Sequence, residues 1–414
     1  MDKRVCAVLE SFSAIFSLPR QFDVRRQMFR CAALVLACMA MGIGGCSRLR
    51  PKPATQYVYV TAKQTYLRDR VAAVSNRTAT VDNGERLQVL EHGRRFVRVQ
   101  TAGGEQGWIE ERAVATQDVF DQFEALKKQH EADPTIASAV VRDEVYLHIK
   151  AGRETERFYR LAEGEKLKLL SRATLPKPLP PGMKTAKAVP VLGKGGKVQT
   201  PVQDEPAPPV MEDWWLVRDS KGDTGWLLSR YMDVDAPDSI VRYSEGQRIV
   251  GAYVLTTVND PDAEQADKNI PIYVTVVSPY KAGLTYDFNQ VRVFTWNVKK
   301  HRYETGFRDR NIEGYLPITV KMAADPYGKS PAASTPAPTF SYKVLSDDAG
   351  PVIPDPVTGV IVPGKTVLKT YRLEGNVVRR VIAPGAPTGG EAHPEPTVEK
   401  KKKEVKRVVR GKRR

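Results

Sequence analysis

The first half of this chain contains an internal repeat, and that repeat constrains the fold more than any other feature of the sequence. The segment TYLRDR around Leu67 and the segment VYLHIK around Leu147 are each followed, seventeen residues later, by a glycine in a matching phrase. The phrases are NGERLQVL, with Gly84, and EGEKLKLL, with Gly164. Two matching phrases at equal spacing indicate two copies of one folding unit.

Both copies end in the same way, which indicates the type of unit. An aromatic residue opens an alternating strand in each copy, Phe96 in the first and Trp215 in the second. A polar turn and a Gly-Trp strand follow, GEQGWI at 104–109 and GDTGWL at 222–227. Alternating runs of about five residues between Gly, Asn and Asp turns are typical of small antiparallel β-barrels. The sequence therefore predicts a mainly β protein that begins with two such barrels.

These residues resemble the bacterial SH3 domain family, whose pattern is a Leu-x-x-Arg strand, a loop, an aromatic strand opener and a closing Gly-Trp strand. The first copy, over 55–116, matches at Leu67 to Arg70 and has Phe96 where the family usually has Trp. The second copy, over 138–236, departs from the first motif at His148. The resemblance implies two tandem SH3-like barrels, each with a shallow aromatic groove that binds extended peptides.

The aromatic residues of the two copies are the candidate ligand-binding residues. They are Tyr66, Phe96, Trp108, Tyr146, Trp214, Trp215, Trp226 and Tyr231. Two interpretations stay open for Trp108 and Trp226, because a tryptophan on the closing strand can fill a small barrel core or line a groove. Trp214 and Trp215 are neighbours on a strand, where side chains alternate between the two faces. We therefore expect one of these two rings to be exposed.

A predicted helix separates the two copies, and the second copy carries a predicted insertion. Phe120, Phe123 and Leu126 recur at a spacing of three within 117–134, which indicates a short linker helix with one narrow apolar stripe. We expect it to pack against the barrels as a spacer. The insertion, at about 173–212, contains PKPLPPG and DEPAPPV. Sequence of this composition buries too little apolar surface to fold, so we expect a disordered loop.

The region 240–385 is again rich in strand signals and predicts a further β-rich domain. Segments such as IYVTVV, VRVFTW and FSYKVL alternate or run apolar between turn residues. Asn297 to Arg302 and Glu374 to Asn376 are typical of the turns of two hairpins. A second low-complexity segment, KSPAASTPAPT, interrupts the region as a predicted loop. A small sheet, a sandwich and a set of propeller-like blades all fit this pattern.

A segment near the amino terminus indicates where the protein is located. Arg25, Arg26 and Arg30 precede an apolar run from Ala32 to Gly42, and small residues lead from there to Cys46. This order resembles the signal peptide of bacterial lipoproteins, with Ile43 at a position where that family usually has Leu. The run is shorter than the roughly 20 residues that a membrane-spanning helix needs.

The resemblance implies that 1–45 is removed and that Cys46 becomes lipidated. A plain secretory signal and a short anchor are the alternatives, and the true start is Met1 or Met28. We thus expect an exported protein anchored through Cys46 to a membrane of the cell envelope, at its periplasmic face. Ser47 follows the cysteine, where some families have the Asp that marks inner-membrane retention, and this favours the outer membrane.

The residue types that carry most enzymatic chemistry are missing or scattered. The four cysteines lie at 6, 31, 38 and 46, so cleavage before Cys46 leaves a single, acylated cysteine. Neither a disulfide framework nor a thiol nucleophile is then available. The five histidines show no spacing that places two imidazoles on one metal. Neither a phosphate-binding loop nor a Gly-x-Ser-x-Gly motif is present. We therefore predict no catalytic site, no metal and no cofactor.

The carboxyl-terminal tail, 386–414, carries much of the net charge of +16. Residues 400–414 contain ten Lys or Arg and one Glu. Three interpretations remain open for this predicted disordered tail: a solvated end, adhesion to an anionic envelope surface, and nucleic-acid binding. The last is disfavoured, because an exported protein meets little nucleic acid and the tail has no interleaved aromatics.

Together these features predict a non-catalytic envelope lipoprotein whose tandem SH3-like domains bind peptidoglycan peptide or an envelope protein. In its overall order of segments the chain resembles a group of SH3-domain envelope lipoproteins with no assigned activity. Two alternatives belong to other classes. One is an envelope hydrolase that the SH3-like domains target to the wall, and the other is a structural subunit of an envelope complex.

Overall fold

Three antiparallel sheets of seven strands account for most of the residues that the structure describes, and the predicted mainly β fold is confirmed. The structure is a computed structural model that describes residues 55–72, 74–178, 209–385 and 390–394. The predicted leader with Cys46, the middle of the insertion and the tail apart from 390–394 lie outside the described residues.

The first sheet contains the first copy of the repeat and curls around a core drawn from six of its strands. Its spatial order is β3-β2-β6-β5-β4-β1-β7. The strands are β1 (Tyr57–Val60), β2 (Gln64–Arg68), β3 (Arg77–Asp82), β4 (Arg86–His92), β5 (Phe96–Gln100), β6 (Gln106–Glu110) and β7 (Val114–Thr116). Leu67, Leu87 and Ile109 are buried in this core, and the buried residues of β5, Val97 and Val99, alternate with more exposed ones as period-two patterning requires.

The second sheet repeats the first strand for strand, in the order β10-β9-β13-β12-β11-β8-β14. Its strands are β8 (Ala137–Val141), β9 (Val145–His148), β10 (Arg157–Leu161), β11 (Lys166–Pro176), β12 (Met211–Arg218), β13 (Thr224–Leu228) and β14 (Met232–Val234). Gly84 and Gly164 occupy the same turn in the two sheets, with φ of 85° and 79°. Glycine fits this turn because an L side chain is strained there.

The second glycine of the repeat explains the Gly-Trp motif. A Cβ on Gly107 would lie 2.7 Å from Cβ of Leu67, and a Cβ on Gly225 would lie 2.7 Å from Cβ of Leu147. The closing strand therefore crosses the strand of the first motif too closely for any side chain at this position. The tryptophan that follows each glycine points to the opposite face.

The strand pairing corrects the alignment of the two copies by one residue. Val99 pairs with Gly107 in the first sheet, and Val217 pairs with Gly225 in the second. Counting back from these pairs, Phe96 corresponds to Trp214, not to Trp215 as the sequence pattern suggested. Trp215 takes the place of a core valine, and the insertion between β11 and β12 hid this register from the sequence comparison.

Helix α1 (Gln117–Gln129) lies between the two sheets and contacts both, as its apolar stripe predicted. The ring of Phe120 stacks on Tyr59 of the first sheet at a centroid distance of 3.9 Å. Phe123 is fully buried and lies 5.8 Å from the ring of Phe158 in the second sheet. The helix ends at Gln129 and is therefore shorter than the predicted 117–134.

The predicted insertion at 173–212 also needs correction at its ends. Strands β11 and β12 continue as a hairpin to the pair Pro176 and Met211, so both ends of the predicted loop are strand. This extension forms because it contacts the third region of the chain. The backbone N–H of Thr174 donates to the carbonyl of Gly359 at 2.8 Å, and Ala173 pairs with Val360.

The third sheet is a single up-and-down meander, β15 to β21 in sequence order, which settles the topology that the sequence left open. Both predicted hairpin turns are confirmed. The strands are β15 (Arg248–Asn259), β16 (Asn269–Ser278), β17 (Phe288–Asn297), β18 (Arg302–Ala323), β19 (Ala337–Leu345), β20 (Thr366–Glu374) and β21 (Val377–Val381). Two short helices flank strands of this sheet, α2 (Asp238–Val241) and α3 (Pro331–Ser334). The segment KSPAASTPAPT, predicted as a loop, contains α3 and the start of β19.

A buried group of charges, the Arg172 network, joins the second and third sheets. The Arg172 guanidinium donates to Oδ1 of Asp287 at 2.8 Å and to the carbonyls of Leu284 and Tyr286 at 2.9 and 2.8 Å. It also lies 3.6 Å from Oδ1 of Asp213, whose side chain is 1% exposed. These contacts fix the long β11–β12 hairpin against the third sheet.

Candidate functional site

The two repeated sheets present equivalent pockets, each beside the short 3₁₀ turn that follows the Gly-Trp strand. The first pocket encloses about 460 Å³ and is lined by Arg95, Phe96, Glu110, Glu111 and Arg112. The second encloses about 210 Å³, and Trp214 and Arg230 lie in it at the positions that Phe96 and Arg112 take in the first. The repeat therefore places one aromatic residue and one arginine in both pockets.

The second pocket combines aromatic and basic side chains. They are His148, Arg153, Arg157, Trp214, Arg230 and Tyr231. They come from five parts of the chain: β9, the segment between β9 and β10, β10, β12, and the 3₁₀ turn Ser229–Tyr231. The sequence predicted Trp214 and Tyr231 as ligand-binding residues, and both line this pocket.

Trp214 forms the apolar floor of the second pocket because its neighbour on β12, Trp215, points into the core. The His148 ring meets Trp214 edge to face at a centroid distance of 5.2 Å. Both tryptophans are buried, with 2% and 5% exposure, so the expectation of an exposed ring was wrong. The two side chains do point to opposite faces of β12, but the outer face is covered as well. Trp214 packs there among Ala173, Leu228 and, from the third region of the chain, Val360.

The charges of the second pocket are unbalanced. Arg153 donates to both carboxylate oxygens of Glu212, which neutralises it. Arg157 and Arg230 make no ion pair with any carboxylate in the part of the chain that the structure describes. Burial, and next the positive charge of Arg157, lower the pKa of His148. The pocket therefore keeps about two positive charges above an aromatic floor.

A groove between the first two sheets, here called the inter-sheet groove, lies next to this pocket. It encloses about 490 Å³, and its lining includes Thr61, Gln64, Arg112, Tyr146, Glu156 and Arg157. Arg157 lines both the groove and the second pocket. The predicted ligand-binding residue Tyr146 therefore faces the groove, and an extended ligand in the groove can reach the pocket past Arg157.

Tyr66 and Tyr146 occupy equivalent positions, and each has an arginine over its ring. Arg77 lies 3.8 Å from the ring centre of Tyr66, and Arg157 lies 5.8 Å from that of Tyr146. A guanidinium over an aromatic face is attracted by the negative charge of the ring face. Both copies thus carry the same pair of a half-buried tyrosine and an exposed arginine, although Tyr66 lies outside the lining of the pockets and the groove.

Trp108 and Trp226 do not fill barrel cores, which resolves the alternative that the sequence left open. Both are half-buried, and the residues on either side of them, Gly107 and Ile109 in the first copy, are the buried ones. Trp226 packs on the outer face beside Trp214. Neither lies in the lining of the two pockets, so they support the neighbouring surface without forming the second pocket itself.

The arginines of the site were not predicted from the sequence. A signal for them existed in the repeat, because Arg77 matches Arg157 and Arg112 matches Arg230 in the paired strands and turns. Aromatic residues were chosen as candidates instead, although Arg112 and Arg230 follow Gly107 and Gly225 at the same spacing and could have been matched from the Gly-Trp strands. Arg153 has no equivalent arginine in the first copy, since it lies where the two copies differ.

The third region contains a separate polar pocket of about 250 Å³ whose lining includes Glu245, Asn289, Arg292 and Arg310. Burial lowers the pKa of Arg292, although Glu245 lies 3.2 Å from its guanidinium. Within the residues described, three or more His, Cys, Asp or Glu side chains nowhere cluster in a way that could hold a metal ion. Across the same residues, the helices are too short or too polar to cross a membrane.

The comparisons with known proteins add little to this geometry. Neither a protein-family model nor a curated protein matches the sequence. Among solved structures, the chain is similar to NlpC2 from Trichomonas vaginalis, with 8% identity over 47% of this chain and 56% of that chain, at a TM-score of 0.15. The match thus spans just over half of the other chain, and so low a TM-score carries no argument about fold or activity.

Proposed function

We propose that this chain is a non-catalytic lipoprotein of the cell envelope, and that its tandem SH3-like domains bind peptidoglycan peptide. The observation that carries the proposal is the aromatic and basic surface of the second sheet. Tyr146 and Tyr231 supply half-buried rings, while Arg157 and Arg230 supply donors at the rim. A surface of this kind suits an extended peptide that has polar or charged groups, because rings pack on its apolar parts and guanidinium groups pair with its acceptors.

The duplicated architecture supports the same proposal. Two sheets of identical strand order lie on either side of α1 and leave the inter-sheet groove between them. Loops and turns at the ends of the strands, held by a rigid sheet, are the usual place for binding residues. The leader and lipidation of Cys46 are expected to place the chain on an envelope membrane that faces the wall.

Wall binding is tested with the soluble chain, residues 47–414, and purified peptidoglycan sacculi. We expect the chain to co-sediment with sacculi and Tyr146→Ala, which removes a half-buried ring from the lining of the inter-sheet groove, to bind about tenfold more weakly, since stacking on an aromatic residue contributes roughly 0.5–1.5 kcal/mol beyond buried area. Gln122→Ala, on the exposed face of α1, is the control and should bind like the parent chain. A chain that stays in the supernatant contradicts the proposal, as does a chain that clears sacculi in a zymogram.

The lipid anchor is tested with the full chain expressed in a diderm bacterium. We expect the purified protein to lack 1–45 and to carry acyl groups on Cys46, because the leader resembles a lipoprotein signal. Cys46→Ser should remove the acyl mass and release the protein from the membrane fraction. Intact-mass measurement of both proteins decides the question. An uncleaved chain without acyl groups would contradict the proposed location in the cell envelope.

A further inference from the structure

The two equivalent pockets differ in charge, although each contains the same arginine. In the first pocket Arg112 is hydrogen-bonded to Glu110, and Glu111 lies beside them. In the second pocket the positions of those two glutamates are taken by Leu228 and Ser229. The first pocket therefore contains its own carboxylates, and the second contains none in its lining.

The arginines of the second pocket are placed so that a carboxylate can reach them. Both Arg157 and Arg230 are exposed at the rim. The Arg230 guanidinium lies 4.6 Å from the ring centre of Tyr231, which holds it beside the pocket mouth. A guanidinium presents parallel N–H donors that match the two oxygens of a carboxylate. Glu110 thus shows, in the first copy, the group that Arg230 lacks in the second.

The size of the second pocket limits what it can hold. Its volume of about 210 Å³ suits one terminal group, whereas the inter-sheet groove, at about 490 Å³, has room for a longer stretch of chain. Arg157 lines both spaces. One extended ligand can therefore lie in the groove and place its end in the pocket.

We propose that the second pocket binds a carboxylate of a wall peptide, held by Arg230 and Arg157 above Trp214, while the peptide backbone lies in the inter-sheet groove. This inference rests on the proposed wall-binding function and names the chemical group that the site recognises. The first pocket does not bind such a group, because Glu110 already occupies its arginine. The two copies therefore have different roles, and one peptide is shared between them.

The test compares untreated sacculi with sacculi whose carboxylates have been converted to amides. The soluble chain, residues 47–414, is used in three forms: the parent, Arg230→Gln and Arg95→Gln, since Arg95 lines the first pocket and not the groove. The parent and Arg95→Gln should each bind amidated sacculi about tenfold more weakly than untreated ones, the loss expected for one charge-assisted hydrogen-bonded pair. Arg230→Gln should start about tenfold weaker and lose less than about threefold on amidation. Arg157→Gln should behave like Arg230→Gln.

The design separates the pocket from non-specific adhesion. All these proteins keep the same basic tail, so any adhesion through the tail falls equally when the sacculi lose charge, and the difference between the variants reports the pocket. Equal sensitivity to amidation in the parent and in Arg230→Gln overturns the inference while leaving wall binding intact. An equal loss of binding in Arg95→Gln and Arg230→Gln overturns the division of roles between the two pockets. Failure of the parent to bind untreated sacculi overturns the proposed function itself, and the inference with it.

Discussion

Replacing Arg172 with methionine is expected to lower the free energy of unfolding by about 3–5 kcal/mol, the cost typical of leaving buried charge without its partner. The Arg172 side chain is 5% exposed and makes a 2.8 Å hydrogen bond to Asp287. After the substitution, Asp213, with 1% exposure, keeps the backbone N–H of Gly283 at 3.0 Å and Arg248 at 3.9 Å. At 3.9 Å Arg248 forms no hydrogen bond with this carboxylate, so the second arginine compensates poorly.

The measurement is urea unfolding of residues 47–414, followed by tryptophan fluorescence. Arg302→Met is the matched control, since Arg302 also pairs with a carboxylate, that of Glu304, but its side chain is 60% exposed. Exposed pairs contribute roughly 0.2–1 kcal/mol, so this variant should unfold almost like the parent. A loss at Arg172 no larger than the control would show that the network is hydrated in the folded protein and does not hold the second and third sheets together.

Local signals predicted those parts of the fold that local geometry determines. Gly84 and Gly164 were found by their equal spacing from Leu67 and Leu147, and each adopts the positive φ that favours glycine. The turn at Glu374 to Asn376 was equally clear, because a hairpin turn is defined by the residues at its own ends. In these cases the information lies within a few residues of the feature.

Contacts between distant segments could not be predicted from the sequence. Arg172 lies beside a Pro-rich insertion and looks like an exposed residue at the edge of a loop, yet its partner Asp287 is 115 residues away. Trp214 shows the same limit, because alternation predicts that it leaves the core and cannot predict that Val360 covers it. The meander of the third sheet is a further example, since the strand pattern fits several pairings of the same segments.

The candidate site was predicted in part for the same reason. Aromatic residues stand out against a polar sequence, so Trp214 and Tyr231 were identified before the structure placed them together. Arginines are common in this chain, and single members such as Arg157 and Arg230 carry no signal until the repeat is aligned correctly. The charge difference between the two pockets follows from the aligned Gly-Trp strands, since counting on from Gly107 and Gly225 matches Glu110 with Leu228.

Replacing Phe123 with alanine is expected to lower the free energy of unfolding by about 3–5 kcal/mol, because a fully buried ring is lost and its site cannot close. Phe123 has no exposed surface, and its ring lies 5.8 Å from Phe158 and 5.5 Å from Tyr159. It also lies near the Gly-Trp strand, 3.3 Å from where a Cβ on Gly225 would be. The cavity would open where the helix meets the second sheet.

Gln122→Ala is the control, because Gln122 is exposed on the same helix and alanine does not weaken the helix itself. Urea unfolding should place this variant within about 0.5 kcal/mol of the parent. Helix α1 also contacts the first sheet, where Phe120 stacks on Tyr59. A weaker contact between the helix and the second sheet should therefore also weaken wall binding through the inter-sheet groove. A Phe123→Ala chain that unfolds within about 1 kcal/mol of the parent would contradict this role, because α1 would then be a tether between two independently folded sheets and the groove between them would have no fixed width.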